Sequence, residues 1–363
     1  MKRRLLLLLL SAMLLIFAGC GIVDDILDYN SYYDDISSTQ KADVVDGLDS
    51  DERLHIRFID VGQGDSSLII FPNGRSMLID TGEYYAKDAV LAAIKKEGLD
   101  KIDVLVATHP HSDHIGCMAS IIENCKFTDI YMPNATSNSK SFEKLLDAIE
   151  DNGINAIEAK AGMTIDLDPS VKINILAPVS SEYDNTNNYS VVIRMTYGSV
   201  SALFMGDAEK LVEKEILKSG ADVSANIIKL GHHGSSTSSS EEFIKAVSPQ
   251  VAIASCGKDN SYGHPHKETI ELMDKLGITM LRTYETGDII METDGKSMSF
   301  SENAALDNSS PKTTSAAKTE YVYVSKSGKY HKKSCTHYKI SFTKMTKEEA
   351  AAAGNQPCKS CDP

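Results

Sequence analysis

Three histidines and an aspartate fall within six residues in the segment Thr108-His109-Pro110-His111-Ser112-Asp113-His114. Imidazole is a favoured ligand for transition metals, and a carboxylate adds a harder oxygen donor. Alternate residues of an extended loop point the same way, so His109 and His111 can grip one ion. Asp113 and His114 follow where the chain turns and can grip a second. Two later segments carry the same residue types behind apolar strands. Met205-Gly206-Asp207 ends on a carboxylate able to bridge two cations about 4 Å apart. Gly231-His232-His233-Gly234-Ser235 offers adjacent histidines, which face opposite sides of an extended chain. One of them would be a ligand and the other would pack or contact substrate; the reading favours His232 as the ligand.

Several elements must position these residues. Leu54 to Ile59 and Ser67 to Phe71 read as strands joined by the turn Val61-Gly62-Gln63-Gly64-Asp65, and Met77 to Asp80 is a third strand. Lys87 to Glu97 has helical spacing, with Gly98 as its stop. Ile102 to Thr108 is a buried strand running straight into the histidine cluster. Val171 to Leu176, Ser190 to Thr196, Ser201 to Met205, Ile227 to Leu230 and Val251 to Ser255 read as further strands. Phe142 to Ile149, Lys210 to Leu217 and Glu268 to Leu276 read as helices. Strands and helices mixed at this density predict an α/β sandwich.

The ends of the chain are different in kind. Lys2, Arg3 and Arg4 precede the apolar run Leu5 to Phe17, which is too short to span a bilayer and reads as a secretion signal. Phe17-Ala18-Gly19-Cys20 resembles a bacterial lipoprotein signal, cut before Cys20, so lipid on Cys20 would tether the chain to the outer face of a membrane. An uncleaved N-terminal anchor is the alternative, and either places the body outside the cytoplasm. Residues 21–52 hold ten acidic residues and one basic one, Lys41, and read as a disordered acidic stalk. The body spans 53–300, and residues 301–318 form a polar linker.

In the tail, 319–363, His331, Cys335, Cys358 and Cys361 make a His-Cys₃ set suited to one tetrahedral structural zinc. A module of this size rarely has core enough to fold unaided. A disulfide between Cys335 and Cys358 or Cys361 is the alternative, and export to an oxidising space gives it weight. Cys117, Cys125 and Cys256 have no framework spacing and read as small buried thiols.

Taken in order, the motifs are Asp60-Val-Gly-Gln-Gly-Asp65, Thr108 to Gly116, Asn187-Asn-Tyr-Ser190, Met205-Gly-Asp207, Lys229 to Ser235 and Tyr262-Gly-His-Pro265. The set resembles the metallo-β-lactamase superfamily, and within it the C-terminal hydrolase domain of the competence (DNA-uptake) channel proteins, over residues 54–300. The tail is similar to the metal-binding module of the Ada DNA-repair proteins. The resemblance implies an αββα fold and two divalent ions, manganese or zinc. It implies one ion on His109 and His111, the other on Asp113 and His114, with Asp207 shared and one of His232 and His233 completing the second site. Other members of the superfamily place a further histidine before the bridging aspartate. None occurs here from residue 115 to 231, where Asn187 to Ser190 stands instead. Fewer nitrogen donors tilt the site from zinc toward manganese.

The chemistry so implied is attack of an ionised water on phosphorus, with charge stabilised by the metals and a nearby cation. Asp113 and Asp207 belong to the reacting centre. Lys229, Lys258, His264 and Ser235 are candidates for phosphate contact or leaving-group protonation, each with a structural role as the alternative. Asp65 reads as orienting a ligand histidine from behind, and Asn188 as a further support. DNA outside the cell is the expected substrate by resemblance. Charge argues the other way: the chain carries −14, and setting aside the signal (+3), the stalk (−9) and the tail (+4) leaves −12 on the body. Polyanion binding normally needs a basic face. A small cell-wall or lipid phosphodiester needs no basic track, and a binding module on a hydrolase-derived fold would lack ligands.

Overall fold

The computed structural model describes residues 53–301 and a subset of 321–358. The signal, the stalk, the linker beyond Ser301, Cys20 and Cys361 lie outside the described residues. Fourteen strands of the body form two sheets. The first has the order β14-β13-β1-β2-β3-β4-β5-β6: β1 (Leu54–Phe58), β2 (Ser67–Ile70), β3 (Ser76–Ile79), β4 (Lys101–Val106), β5 (Lys126–Met132), β6 (Asn155–Glu158), β13 (Ile289–Thr293) and β14 (Met298–Phe300). The second has the order β12-β11-β10-β9-β8-β7: β7 (Val171–Ala177), β8 (Val192–Tyr197), β9 (Val200–Phe204), β10 (Ile227–Lys229), β11 (Val251–Ala254) and β12 (Thr279–Arg282).

Alternation along the strands explains the layering, since successive side chains face opposite sides of a sheet. Ile56, Phe58, Val104 and Val106 of the first sheet meet Ile193, Phe204, Ile227 and Ile253 of the second in one core. Phe58 and Phe204 stack across it, ring centres 5.9 Å apart. The outer faces are covered by helices. Leu68, Leu78 and Leu105 pack with α1 (Lys87–Lys96), α3 (Met118–Asn124) and α4 (Lys140–Asp151). Leu203, Ile228 and Ala252 pack with α5 (Lys210–Ser219), α6 (Glu241–Val247) and α7 (Lys267–Leu276). The result is the αββα sandwich expected from sequence.

Two short helices complete the body, α2 (Ser112–Ile115) and α8 (Thr283–Thr286). Strands β3 to β6 run parallel, as do β9 to β12. The tail forms a separate four-stranded sheet, β17-β15-β16-β18, from Tyr321–Val324 (β15), Lys329–His331 (β16), Thr343–Thr346 (β17) and Gln356–Pro357 (β18). Val322, Tyr330 and Ala350 are its small buried cluster.

Candidate metal centre

The site is built at the carboxyl ends of parallel strands from both sheets, the usual place for function in α/β folds. From the first sheet, β3 delivers Asp80 and β4 runs into Thr108–His114. From the second, β9 delivers Gly206-Asp207 and β10 delivers His232-His233. Close backbone approaches fix the loops. A side chain at Gly64 would sit 2.3 Å from the Asp113 carbonyl, which accepts a hydrogen bond from Asp65 N. Gly206, at φ 52°, lies against Ser190 and Thr108, where a Cβ would sit 3.0 Å from Ser190 Oγ and 3.1 Å from Thr108 Cβ.

The donor atoms converge in two groups that share Asp207. His109, His111 and Asp207 form one, and Asp113, His114, His233 and Asp207 form the other, with ligand-type atoms within 4.8 Å in each. Asp207 faces both. Its Oδ1 lies 3.2 Å from His114 Nε2 and 3.5 Å from His233 Nε2, while its Oδ2 lies 3.7 Å from His109 Nε2. His233 Nε2 also lies 3.1 Å from Asp113 Oδ2. His114 Nε2 and Asp207 Oδ1 are buried and have no hydrogen-bond partner. A buried polar atom left so is costly, and a cation between the two would satisfy both. The residues therefore fit a pair of divalent ions.

Groups behind the histidines fix which nitrogen faces the centre. His114 Nδ1 is 2.7 Å from Asp80 Oδ2, and His233 Nδ1 is 3.0 Å from both Asp65 Oδ1 and the Ser255 carbonyl. These partners are acceptors, so Nδ1 holds the proton and Nε2 presents its lone pair inward. Asp80 also accepts from Thr108 N and Thr108 Oγ1. With its hydrogen committed to Asp80, Thr108 Oγ1 can accept from His109 Nδ1, 3.2 Å away. Ser190 Oγ, which accepts from Asp207 N, stands 3.3 Å from the same nitrogen.

The charges are arranged for cations. Burial opposes ionisation of Asp207, but the facing His114 and His233 hold its carboxyl well below the usual range. Burial likewise opposes protonation of His233, yet Asp207 and Asp65 push it up to about 10. His114 is raised well above its ordinary value, against burial, by Asp207 and Asp80.

An open cleft of about 320 Å³ reaches this centre, lined by His111, Asp113, Asn187, Asp207, His232, His233 and His264, with Gln63, Ser112 and Tyr262 beside them. His264 faces it with Nδ1 buried and unpartnered. Burial, followed by the nearby His233, lowers its pKa to about 4, so it is neutral at pH 7.

Some expected positions differ. His232, the sequence-favoured ligand of the second group, lies 3.7 Å from Asp207 Oδ2 and contacts Thr237 and Asn187, while His233 occupies the donor group. The extended geometry assumed for the pair is replaced by a turn with both residues at positive φ, 51° and 55°. Lys229 does not reach the cleft. It is 3% exposed, its Nζ donates to Asp65 Oδ2 (2.7 Å) and the Leu230 carbonyl (2.9 Å), and it neutralises Asp65. β10 alternates so that this side chain points inward beneath His233. Ser235 is buried against Thr237, and Lys258 is exposed on a loop. Asn188 bonds Glu209 N rather than a ligand; its neighbour Asn187 lines the cleft with a buried, unpartnered Oδ1. Sequence reasoning missed Asp80 and gave Ser190 no role, although Asp80-Thr81-Gly82 after an apolar strand carries the same signal as Met205-Gly206-Asp207.

In the tail, His331, Cys335 and Cys358 are buried together with ligand atoms within 4.8 Å, His331 Nδ1 being 3.4 Å from Cys335 Sγ. The fourth expected ligand, Cys361, lies outside the described residues.

Comparison with known proteins agrees with the geometry. The family model of the metallo-beta-lactamase superfamily matches residues 59–258, and the chain belongs to that superfamily. Within it the chain falls in the competence-protein branch. It is similar to ComE operon protein 3 of Bacillus subtilis, 31% identical over 251 residues, which are 64% of this chain and 32% of that protein. It is similar to Competence protein ComA of Neisseria gonorrhoeae, 30% identical over 230 residues, 63% of this chain and 30% of that one. Recombination protein 2 of Haemophilus influenzae is 27% identical over 236 residues, 64% of this chain and 28% of that one. The chain spans about a third of the length of these relatives.

Proposed function

We propose that this metal-dependent hydrolase is a phosphodiesterase with a nuclease activity on DNA outside the cell, tethered to the outer face of the membrane by lipid on Cys20. The observation that carries the reaction class is Asp207, whose two carboxylate oxygens face two separate donor groups at the floor of an open cleft. His109, His111 and Asp207 would hold one ion; Asp113, His114, His233 and Asp207 would hold the other. When bound, two divalent ions lower the pKa of water and offset charge developing on a phosphate.

The remaining work falls to the chain itself. Asp80 and Asp65 hold the Nδ1 protons of His114 and His233 and so fix the direction of each Nε2. His264, neutral at pH 7, can give a ring N–H to a phosphate or leaving-group oxygen in the cleft. Asn187, whose buried Oδ1 is unpartnered in the cleft, would add an oxygen donor, which supports manganese over zinc. In the tail, a structural zinc on His331, Cys335, Cys358 and Cys361 would staple the small sheet.

A second reading, a small cell-wall or lipid phosphodiester, is supported by charge: the body carries −12, and the residues lining the cleft include no Lys or Arg. The test uses residues 53–363 loaded with Mn²⁺ or Zn²⁺ and assayed on single-stranded DNA, duplex DNA and a chromogenic phosphodiester, with Asp207→Ala as control. Cleavage of DNA that is lost in the control is the expected result. Turnover of the small diester with DNA left intact supports the second reading, and no turnover with either metal removes both.

A further inference from the structure

Three tyrosines stand out on the surface: Tyr84, 73% exposed, Tyr85, 56%, and Tyr262, 64%. Among the described residues they are the only large exposed aromatics; Tyr262 lines the metal cleft, and Tyr85, packed beside Tyr84, reaches Gln63, which also lines it. Exposed rings lose the burial that normally stabilises them, so their clustering here asks for a ligand.

Their placement is built rather than incidental. Tyr262 lines the cleft and stacks on His264, ring centres 5.6 Å apart and planes within 19°. Its loop is pinned by Asn260, whose Oδ1 accepts from Tyr262 N and His264 N and whose Nδ2 donates to the Gly257 and His264 carbonyls. Tyr85 packs edge-on against Tyr84, centres 5.4 Å apart, and its hydroxyl donates to the Gln63 carbonyl. Gln63 lines the cleft and accepts at Oε1 from Gly257 N, in the loop that carries Tyr262. Thus one residue at the cleft ties both aromatic groups to the same mouth. Ser112, next to the ligand Asp113, bonds Glu83 and fixes the Tyr84–Tyr85 turn from the other side.

We infer that Tyr262, stacked on His264, and the Tyr84–Tyr85 pair are base-stacking platforms that seat unpaired nucleobases on either side of the phosphodiester at the metal centre, which makes a single strand or a frayed end the preferred substrate. The inference rests on the phosphodiesterase reading and deepens it. An acidic body without Lys or Arg lining the cleft has no cationic track with which to hold a duplex backbone, so base–aromatic stacking, which tolerates any sequence, would carry the larger share of single-strand binding. In a duplex the base faces are already stacked and cannot reach the rings. The cleft, at about 320 Å³, is near the lower end of small-ligand sites and takes one nucleotide-sized group at a time.

The test uses the metal-loaded full chain and three fluorescent probes on ice: a thymidine octamer, an octamer of abasic deoxyribose phosphate, and a blunt duplex. Binding is read by anisotropy, and turnover of a chromogenic phosphodiester is followed separately. The thymidine octamer is expected to bind tightest. Tyr262→Leu and the double variant Tyr84→Leu/Tyr85→Leu should each weaken it by about 5- to 140-fold toward the abasic value, the range expected for one lost stack. Tyr262→Phe, which keeps the ring, should restore binding. Equal binding of thymidine and abasic octamers, equal binding of the duplex, or leucine variants that bind as the parent does would each overturn the inference. So would tighter binding of a chitin tetrasaccharide, which would mark the rings as a sugar platform. Loss of chromogenic turnover in the parent chain, with octamer binding intact, would count against the phosphodiesterase reading and leave the platform standing.

Discussion

Replacing Lys229 with methionine separates a buried structural cation from a catalytic one. Methionine keeps most of the side-chain volume and removes only the ammonium. Asp65 is 5% exposed and Lys229 3%, and their charged atoms lie 2.7 Å apart. Burial opposes ionisation of Asp65, and Lys229, then His233, keep its pKa below the ordinary value. With the ammonium gone, an ionised carboxylate is left buried with only the His233 N–H for a partner. Breaking a buried pair this way costs about 3–5 kcal/mol. Urea unfolding at pH 7 is the assay, with a double-mutant cycle through Asp65→Asn, which keeps an acceptor for His233 and removes the charge. Asp65→Asn/Lys229→Met should be more stable than the sum of the two single changes implies, by about 2 kcal/mol, within the range measured for residues in direct contact. A Lys229→Met protein with parental stability and lost turnover would refute the reasoning, because it would place the ammonium on substrate. Strict additivity would refute it as well.

Further outcomes follow from the same geometry. Asp207→Ala should lower bound metal at both positions, since its carboxylate belongs to both donor groups, and metal analysis after gel filtration reads the loss. His233→Ala should remove the second ion more completely than His232→Ala; equal losses would contradict the donor assignment. Asp80→Ala, which frees His114 to rotate, should reduce metal affinity or turnover by about 10- to 100-fold, while Asp80→Asn keeps part of the contact and loses less. Burial pushes the thiols of Cys117 up to about 11 and of Cys256 up to about 12, so at pH 8 both should resist iodoacetamide in the folded protein and react in urea, as mass spectrometry would show.

The sequence by itself determined the donor inventory and the layer architecture. His109 to His114 and Asp207 are legible because ligand-type residues are rare at such spacing and each set follows an apolar strand. The sandwich is legible because short continuous apolar runs such as Val251–Ala254 differ from the longer, helically spaced pattern of Lys267–Leu276. Edge strands were not legible: Asn155–Glu158 is short and largely exposed, so it carries no apolar alternation. Only the tertiary structure decided which side chain meets which. It turned His233 toward Asp113 because two successive residues adopt positive φ, a conformation no pattern of residue types announces. It sent Lys229 beneath the site rather than into it, and it brought Asp80 behind His114 across 34 positions of sequence. Those contacts depend on where strands of two sheets end relative to one another. Local sequence encodes the ends, but the packing of the sheets sets their alignment.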